Sequence, residues 1–413
     1  GRVLAGGQRQ VFAEVRLAAD NRQLPENSAR PVAMALVLDV SGSMEGEKLV
    51  QARNAVLEMV DRMRDADQIS LVVYSDNARV VQPLARVRDV RAQLHLTVPT
   101  INSEGGTNIP SGLMAGAQTL AEAPEGVVRR VVLMSDGRDG SGQSLDTIAA
   151  GLRVRADRGV TLSSLGVGAD YDETFMSRLA DAGRGNYEFM RDGAQLRAFL
   201  GRELQQATRT TVERAVAEVT LPSGWHLTRA YGAEAQVTGQ TVRLPVGALF
   251  AGDERRMVLD LTVDAPSSGS AGALTADASW YAVQDGRDVR VHGGDLALGV
   301  TDSQSAAQAS IDHAVFAEAQ STALAARQQD AVNAWRDGRV AEATALAQQN
   351  LTALRGLEQV APAAAPALRA QARQYEADNN AFNTMSAASE SGRVWGLQSN
   401  AMHRRAMRTS AAY

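Results

Sequence analysis

The sequence predicts an α/β protein: a Rossmann-like, doubly wound, mostly parallel sheet, followed by an antiparallel β-sandwich domain and a C-terminal helical hairpin. Three observations lead to this prediction. Short apolar runs alternate with helical patterns from residue 32 to about 202. The hydrophobic period then becomes two from 211 to about 301, and an alanine-rich segment with helical spacing fills 305–383. A chain of 413 residues is long enough for two or three such domains.

The first region contains six predicted strands and six predicted helices. The strands are predicted at 32–38, 69–74, 78–81, 127–134, 160–167 and 187–190. The helices are predicted at 46–64, 89–96, 109–122, 144–158, 173–182 and 193–206. In sheets of this kind, binding sites lie at the carboxyl ends of the strands.

The second region has runs of alternating polarity separated by Gly, Pro and Ser clusters, as in an antiparallel sandwich. These runs lie at 212–221, 226–231, 241–244, 256–263, 274–283 and 289–300. An isolated early strand at 11–17 precedes a linker at 20–31. We expect this strand to pair with the sandwich, which would make the first region an insertion.

The helical region breaks at Asp337-Gly338 and again around 362–366, which predicts two or three antiparallel helices. Trp335, Leu346 and Leu354 are expected on the packed face. The segment after Glu390 has four arginines and no acid, and it is predicted to be a basic flexible tail. The predicted domains are 31–208 for the α/β domain, 209–303 for the sandwich, 304–388 for the helices and 389–413 for the tail. Residues 1–30 contain the strand that is expected to pair with the sandwich.

Composition excludes several classes of function. Apolar residues make up 45% of the chain and charged residues 22%, which is typical of a soluble globular protein. A formal net charge of -5 does not suggest nucleic-acid binding. Without cysteine there are no disulfides or thiolate metal sites, and no apolar run reaches the roughly 18 residues of a membrane span. The compartment stays open between the cytoplasm and a secreted or cell-surface location.

A polar strand end is the first candidate for a functional site. The apolar run before Asp39 stops at that acid, and Ser41 and Ser43 follow at alternate positions. Hydroxyl and carboxylate oxygens without His or Cys suit Mg²⁺, Mn²⁺ or Ca²⁺ rather than zinc. Taken alone, this stretch fits an ordinary turn equally well.

Two further pieces complete the candidate site. Thr107 follows two glycines just before a helical pattern, where Gly-Gly-Thr-Asn is also typical of a helix N-cap. The strand at 131–134 ends in Ser135-Asp136-Gly137, the same form as the first strand end. Because the carboxyl ends of parallel strands share one edge, we expect these pieces to converge.

With this pattern of Asp-x-Ser-x-Ser, then Thr, then Asp, the chain resembles the von Willebrand factor type A (VWA) family over about residues 31–206. The resemblance implies an intact metal-ion-dependent adhesion site made of Asp39, Ser41, Ser43, Thr107 and Asp136. It implies Mg²⁺ or Mn²⁺, ahead of Ca²⁺, held by the three hydroxyls while the two acids act mainly through water. It also implies a protein partner that presents an Asp or Glu to the ion. The flanking parts resemble bacterial multi-domain members of the family.

Alternatives remain at this stage. A cytoplasmic regulatory partner of an AAA-type ATPase would use the same site, and a metal-assisted hydrolase is a remote third class, since the five histidines have no metal-protease spacing. We expect binding without catalysis. Asp139 could tune the site or be a solvated acid, and Met44 could contact a partner or pack inside the domain. The acids Asp170, Asp172 and Glu173 could bind calcium or simply begin a helix.

Overall fold

The computed structural model describes residues 1–21, 30–124, 126–136, 138–168, 171–190 and 192–408. Most of the predicted linker at 20–31 lies outside these ranges, as do Gly137, Asp170 and the last five residues.

A six-stranded sheet forms the centre of the α/β region, with the order β5-β4-β3-β6-β7-β8. All neighbours in it are parallel except β4 and β5. Its strands are β3 Val32–Asp39, β4 Gln68–Tyr74, β5 Ala78–Arg86, β6 Val128–Ser135, β7 Val160–Val167 and β8 Arg184–Met190. Every residue of β3 is buried, because β3 lies at the middle of the sheet and both of its faces are covered.

Helices cover both faces of this sheet, which confirms the predicted doubly wound fold. They are α1 Glu47–Arg62, α2 Val87–Thr97, α3 Ile109–Thr119, α4 Leu145–Asp157, α5 Glu173–Ala182 and α6 Gly193–Thr208. Leu36 of β3 packs in a core with residues of α1, α2 and α6. Val37, the next residue, packs in a second core with residues of α3, α4 and α5.

Two sheets form the sandwich. One has the order β1-β15-β14-β9-β12-β11 and the other β10-β13-β2. The strands are β1 Arg2–Leu4, β2 Gln8–Ala18, β9 Thr210–Thr220, β10 Trp225–Tyr231, β11 Gln236–Thr238, β12 Thr241–Phe250, β13 Glu254–Asp264, β14 Ser270–Ala282 and β15 Arg287–Thr301. The early strand β2 pairs antiparallel with β13 along its whole length. The chain therefore begins in the sandwich, leaves it for the α/β sheet and returns.

The helical region consists of α7 Gln304–Ala309, α8 His313–Arg336, α9 Val340–Val360, α10 Ala365–Thr384 and α11 Glu390–Arg408. Helices α8 and α9 form the predicted hairpin, and α10 packs on α9 while α11 packs on α8. Trp335 is fully buried, with its ring centroid 5.9 Å from Phe382 and 5.0 Å from Trp395. None of the described helices is both long and apolar enough to span a bilayer.

The predicted flexible tail is wrong over Glu390–Arg408, which forms the packed helix α11. His403 is 2% exposed, and its Nε2 lies 2.6 Å from Oδ2 of the buried Asp378. Ser399 donates to Oδ1 of the same carboxylate at 3.0 Å, and Leu397 is buried. The prediction relied on the charge of the segment and overlooked its buried residues, which recur at helical spacing among the arginines. The other domain boundaries stay predictions.

Candidate metal-binding site

The candidate site lies at the carboxyl edge of the sheet, where β3 and β6 end side by side. Leu38 is opposite Met134 in the parallel register, so Asp39 and Ser135 are neighbours on adjacent strands. A continuous apolar run holds each strand in the core up to this point. The chain turns polar where the strands leave the sheet, as in other parallel α/β sheets.

Asp39 is fully buried, and both of its oxygens accept hydrogen bonds. The backbone N–H of Ser41 donates to Oδ1 at 2.8 Å, and the Ser135 hydroxyl donates to Oδ2 at 2.5 Å. Burial raises the pKa of Asp39, while the hydrogen bonds from Ser135 and Ser41 act in the opposite direction. The contacts fix this carboxylate in place and leave it facing its neighbours rather than solvent.

Ser41 and Ser43 sit on a short turn directly after β3. Their hydroxyl oxygens are 3.1 Å apart, and the Ser43 hydroxyl donates to Oδ1 of Asp136 at 2.7 Å. Ser43 is exposed, whereas Ser41 and Asp136 are each 2% exposed. Met44 is fully buried in the core below, so the packing interpretation of that residue holds. The turn therefore places the Ser43 hydroxyl at the surface and keeps Ser41 buried beneath it.

The loop before α3 closes over this turn through backbone contacts. The Glu104 N–H donates to the Val40 carbonyl at 2.6 Å, and the Gly42 N–H donates to the Gly105 carbonyl at 3.1 Å. Gly105 has a φ of +64°, and a Cβ at this position would lie 2.4 Å from Oδ2 of Asp76. Glycine is required here both for the left-handed backbone and for the close approach.

Thr107 belongs to the same loop and is half-buried. Its carbonyl accepts the N–H of Gly140 at 2.7 Å, which ties it to the loop that follows Asp136. The next residue, Asn108, caps α3 by accepting the N–H of Ser111 at 3.0 Å. The N-cap interpretation thus applies to Asn108, and Thr107 lies one residue earlier, beside the strand ends.

The side chain of Asp136 is buried and is already paired with a positively charged group. Lys48, from the first turn of α1, forms an ion pair with its Oδ2. The same ammonium group donates to the carbonyl of Ser43 at 3.2 Å. The candidate metal ligands at this point are all oxygen atoms, which suits a hard cation. Within the described ranges, no group of three or more His, Cys, Asp or Glu side chains is placed to hold a metal.

Four of the five predicted site residues form one hydrogen-bonded chain from Asp39 through Ser41 and Ser43 to Asp136. The structure joins Thr107 to this chain through the backbone of its loop. The site thus combines two buried acids and the buried Ser41 with an exposed Ser43 and a half-buried Thr107. Such an arrangement can bind a cation and leave it open to a further ligand.

Sequence reasoning missed several residues around the site. Lys48 follows the first motif by five residues and is the only lysine in the chain, a signal that could have found it. Asp76 follows β4 as Asp136 follows β6, and its Oδ1 accepts the N–H of Gly106 at 3.1 Å. Asp139 is not simply solvated, because its Oδ1 accepts the N–H of Ile109 at 3.0 Å.

The acids at the start of α5 have structural partners. Asp172 caps the helix by accepting the N–H of Phe175 at 2.9 Å. Glu173 is buried and forms an ion pair with Arg336 of α8. Asp170 lies outside the described residues. These contacts favour the helix-start interpretation over calcium binding.

Comparisons with known proteins identify the α/β region. Residues 34–202 match the model of the von Willebrand factor type A domain. An uncharacterized protein of Synechocystis is 27% identical over 270 residues, which cover 62% of this chain and 62% of that protein. Inter-alpha-trypsin inhibitor heavy chain H2 of Sus scrofa is 32% identical over 164 residues, or 38% of this chain and 18% of that protein. The chain thus spans less than two thirds of these curated relatives.

Two solved structures share the fold over nearly the whole chain. A von Willebrand factor type A protein from Catenulispora acidiphila has a TM-score of 0.73 at 18% identity, covering 98% of this chain and 94% of that one. The ArnB paralog VWA2 from Sulfolobus acidocaldarius has a TM-score of 0.61 at 15% identity, covering 98% and 96%. At such identities the likeness concerns the fold alone.

Proposed function

We propose that this chain, which contains a von Willebrand factor type A domain at residues 34–202, is a protein-interaction module that captures partners through a divalent cation. The ion is held at Asp39, Ser41, Ser43, Thr107 and Asp136, and a partner supplies an Asp or Glu to it. One observation carries the proposal most strongly. The exposed Ser43 hydroxyl sits directly on the buried acid Asp136, at the edge of the sheet where sites of this fold form.

The proposed roles follow from the hydrogen bonds and from the family resemblance. The hydroxyls of Ser41, Ser43 and Thr107 contact the ion, while Asp39 orients the turn, because both of its oxygens are already engaged. Neutral hydroxyl ligands leave much of the charge of Mg²⁺ or Mn²⁺ uncompensated, so the open position favours an anionic ligand. We place Ca²⁺ behind these two ions.

The rim of the site supports metal dependence. Asp76 and Glu104 are exposed and lie on the two loops beside the candidate ligands. Without an ion, these acids would repel a carboxylate from a partner. With an ion bound, the same carboxylate would gain a strong direct contact. Capture of an acidic residue should therefore depend steeply on the metal.

Binding without catalysis fits the positions of the histidines best. His95, His292 and His403 each contact an aspartate outside the candidate site. A metal-assisted hydrolase would need a general base close to the ion and to its substrate. The adhesion-type chemistry requires only the oxygen ligands described above.

Titration calorimetry with Mg²⁺ tests the metal half of the proposal. Wild type should bind, Asp39→Ala and Ser43→Ala should lose binding, and Thr228→Ala should retain it as an exposed hydroxyl control on β10. Equal binding by wild type and Ser43→Ala, or no binding by either, would contradict the proposed metal site.

A pull-down with mass spectrometry, run with and without EDTA, tests the partner half. A partner that depends on the ion should be lost in EDTA and in both Ser43→Ala and Thr107→Ala. A partner that stays bound in all three conditions would show that the protein surface, and not the ion, makes the contact.

A further inference from the structure

We propose that a cavity lined by all three regions of the chain binds a small organic phosphate. None of the candidate metal-site residues lines the cavity, and this inference does not depend on the proposed function. Its walls come from α4, α5 and β8 of the α/β region, from β10, β12 and β13 of the sandwich, and from α11.

The size of the cavity selects the class of ligand. Its volume is about 350 Å³, which is within the range of small-molecule sites and too small for a folded partner. Sites of this kind occur preferentially where domains meet. A ligand here would touch three separate parts of the chain at once.

The charge of the walls selects the chemistry. Two acids, Asp181 and Glu234, line the cavity, although the chain as a whole carries a net charge of -5. Six lining side chains are guanidinium groups: Arg153, Arg178, Arg184, Arg229, Arg255 and Arg404. Arginine is the side chain best suited to forked hydrogen bonds with phosphate or carboxylate oxygens.

Part of this positive charge is available for a ligand. The guanidinium of Arg229 is exposed and lies over the Tyr231 ring, 5.2 Å from its centroid. Its positive charge acts on the nearby Asp330, but among the described residues no carboxylate lies within ion-pair distance of it. Arg178 pairs with Asp146, whose side chain is 84% exposed. An ion pair so open to water contributes little, so an anion in the cavity can replace it.

Two buried donors on the cavity wall have no acceptor within the described part of the chain. They are Nη1 of Arg184 and Nε of Arg404. The side chain of Arg184 is only 5% exposed, although its other terminal nitrogen, Nη2, pairs with Asp157. A buried N–H without an acceptor keeps its whole desolvation cost, so both arginines would gain from a small side-chain shift that lets a bound anion accept from them.

The backbone makes special room for Arg184. Its φ is +55°, a left-handed conformation that is uncommon for any residue except glycine. Gly247 of β12 has a φ of +93°, and a Cβ there would lie 2.8 Å from Cβ of Arg184. Strained backbone of this kind concentrates at functional sites. The sandwich thus approaches the arginine through a glycine that no other residue could replace easily.

The cavity also has an apolar wall. Tyr231, Pro245, Val246 and Met407 line it together with the charged groups. A bare inorganic ion would leave this wall uncovered, whereas a molecule with a phosphate group and an apolar or aromatic body would use both surfaces. This difference favours an organic phosphate over free phosphate.

Calorimetry with ATP and with pyrophosphate, in EDTA so that the metal site stays out of the measurement, tests the proposal. Wild type should bind both probes saturably, ATP more tightly, at concentrations below about 1 mM. Arg229→Gln should weaken ATP binding about tenfold, because one charge-assisted contact is lost. Arg369→Gln, an exposed arginine on α10, should leave the affinity unchanged.

Several results would overturn the proposal. They are no saturable binding of either phosphate probe, an unchanged affinity in Arg229→Gln, or equal binding of citrate, which would indicate general carboxylate recognition. Arg229→Lys separates charge from geometry: it keeps the positive charge, so its affinity should lie between wild type and Arg229→Gln. Thermal unfolding of each variant without ligand should match wild type, since Arg229 is exposed.

Discussion

Asp136 and Asp378 are two buried aspartates with similar contacts and opposite surroundings. Asp136 is 2% exposed and is held by Lys48 and by the Ser43 hydroxyl at 2.7 Å. Asp378 is fully buried and is held by His403 at 2.6 Å, with a Ser399 hydroxyl at 3.0 Å on its other oxygen. In both places a basic group and a hydroxyl satisfy one carboxylate.

The partners of the two acids differ in access to solvent. Ser43 is exposed and the Lys48 side chain is 37% exposed, whereas His403 and Ser399 are each 2% exposed. The first carboxylate lies where strands end at the edge of a sheet, and the second lies between packed helices. Similar chemistry can therefore form a binding site in one region and a structural clamp in the other, and access decides between them.

The largest effect should come from breaking the clamp. Asp378→Ala leaves His403 and Gln328 buried without their acceptor, so we expect a loss of about 3–5 kcal/mol in the free energy of unfolding. Urea unfolding followed by circular dichroism would measure it. His403→Ala should cost less, about 1–3 kcal/mol, because only one of the contacts of Asp378 is lost. A stability loss below about 0.5 kcal/mol for both variants, the size of a surface substitution, would contradict the clamp.

A substitution in the candidate site should change stability little and metal affinity strongly. Ser43→Ala removes an exposed hydroxyl, so we expect a stability change within about 1 kcal/mol, while the affinity for Mg²⁺ falls by at least about tenfold. Urea unfolding and calorimetry on the same samples separate the two quantities. A large loss of stability with unchanged metal affinity would show that Asp136 is also a clamp.

Lys48 offers a sharper test of the same comparison. Its ammonium group pairs with Oδ2 of Asp136, while the Ser43 hydroxyl contacts Oδ1, so Lys48→Met should raise the affinity for Mg²⁺ about tenfold by removing a competing positive charge. Arg62→Met, on an exposed position of the same helix, is the matched control. Weaker Mg²⁺ binding in Lys48→Met would mean that the lysine supports the ion instead.

The smallest expected effect concerns pH. Burial raises the pKa of Glu173 above its unfolded value of about 4.3, although Arg336 opposes the shift. Between these two pKa values the folded state binds more protons than the unfolded state, so this group stabilises the fold at low pH and loses that contribution as pH rises.

Glu173→Gln should therefore flatten the dependence of stability on pH in that window, as measured by urea unfolding at several pH values. Asp172→Asn, the neighbouring helix cap, is a control for the local helix. A pH profile of Glu173→Gln that matches wild type would contradict the assignment to Glu173.

The sequence was sufficient for the α/β sheet because its central strands are apolar on both faces and the helices α3, α4, α5 and α6 begin at a capping side chain. It also predicted the strand-end acids and their hydroxyls, since each polar group comes directly after a buried apolar run. The prediction missed Lys48 in the site, although its place five residues after Ser43 was a signal, and nothing in the sequence pointed to Asp378 in the clamp. Each contact depends on elements far apart in the chain, and 25 residues separate Asp378 from His403.

Helix α11 shows the limit most clearly. Its arginines suggested a solvated tail, yet Leu397, Ser399 and His403 are buried against the rest of the fold. The partners that make this burial favourable, such as Asp378 and Asp181, have no signature in the segment itself. The segment is basic, as its charge pattern indicates, but its tertiary contacts make it a packed helix.

Anomalous diffraction from crystals grown with Mn²⁺ tests the central claim most directly, because one map reports on both carboxylates. The account predicts a peak at about 2.2 Å from the hydroxyl oxygens of Ser41, Ser43 and Thr107, with Lys48 moved away from Asp136, and no peak beside Asp378. A map without density at the three hydroxyls, or with an ion beside Asp378, would contradict it.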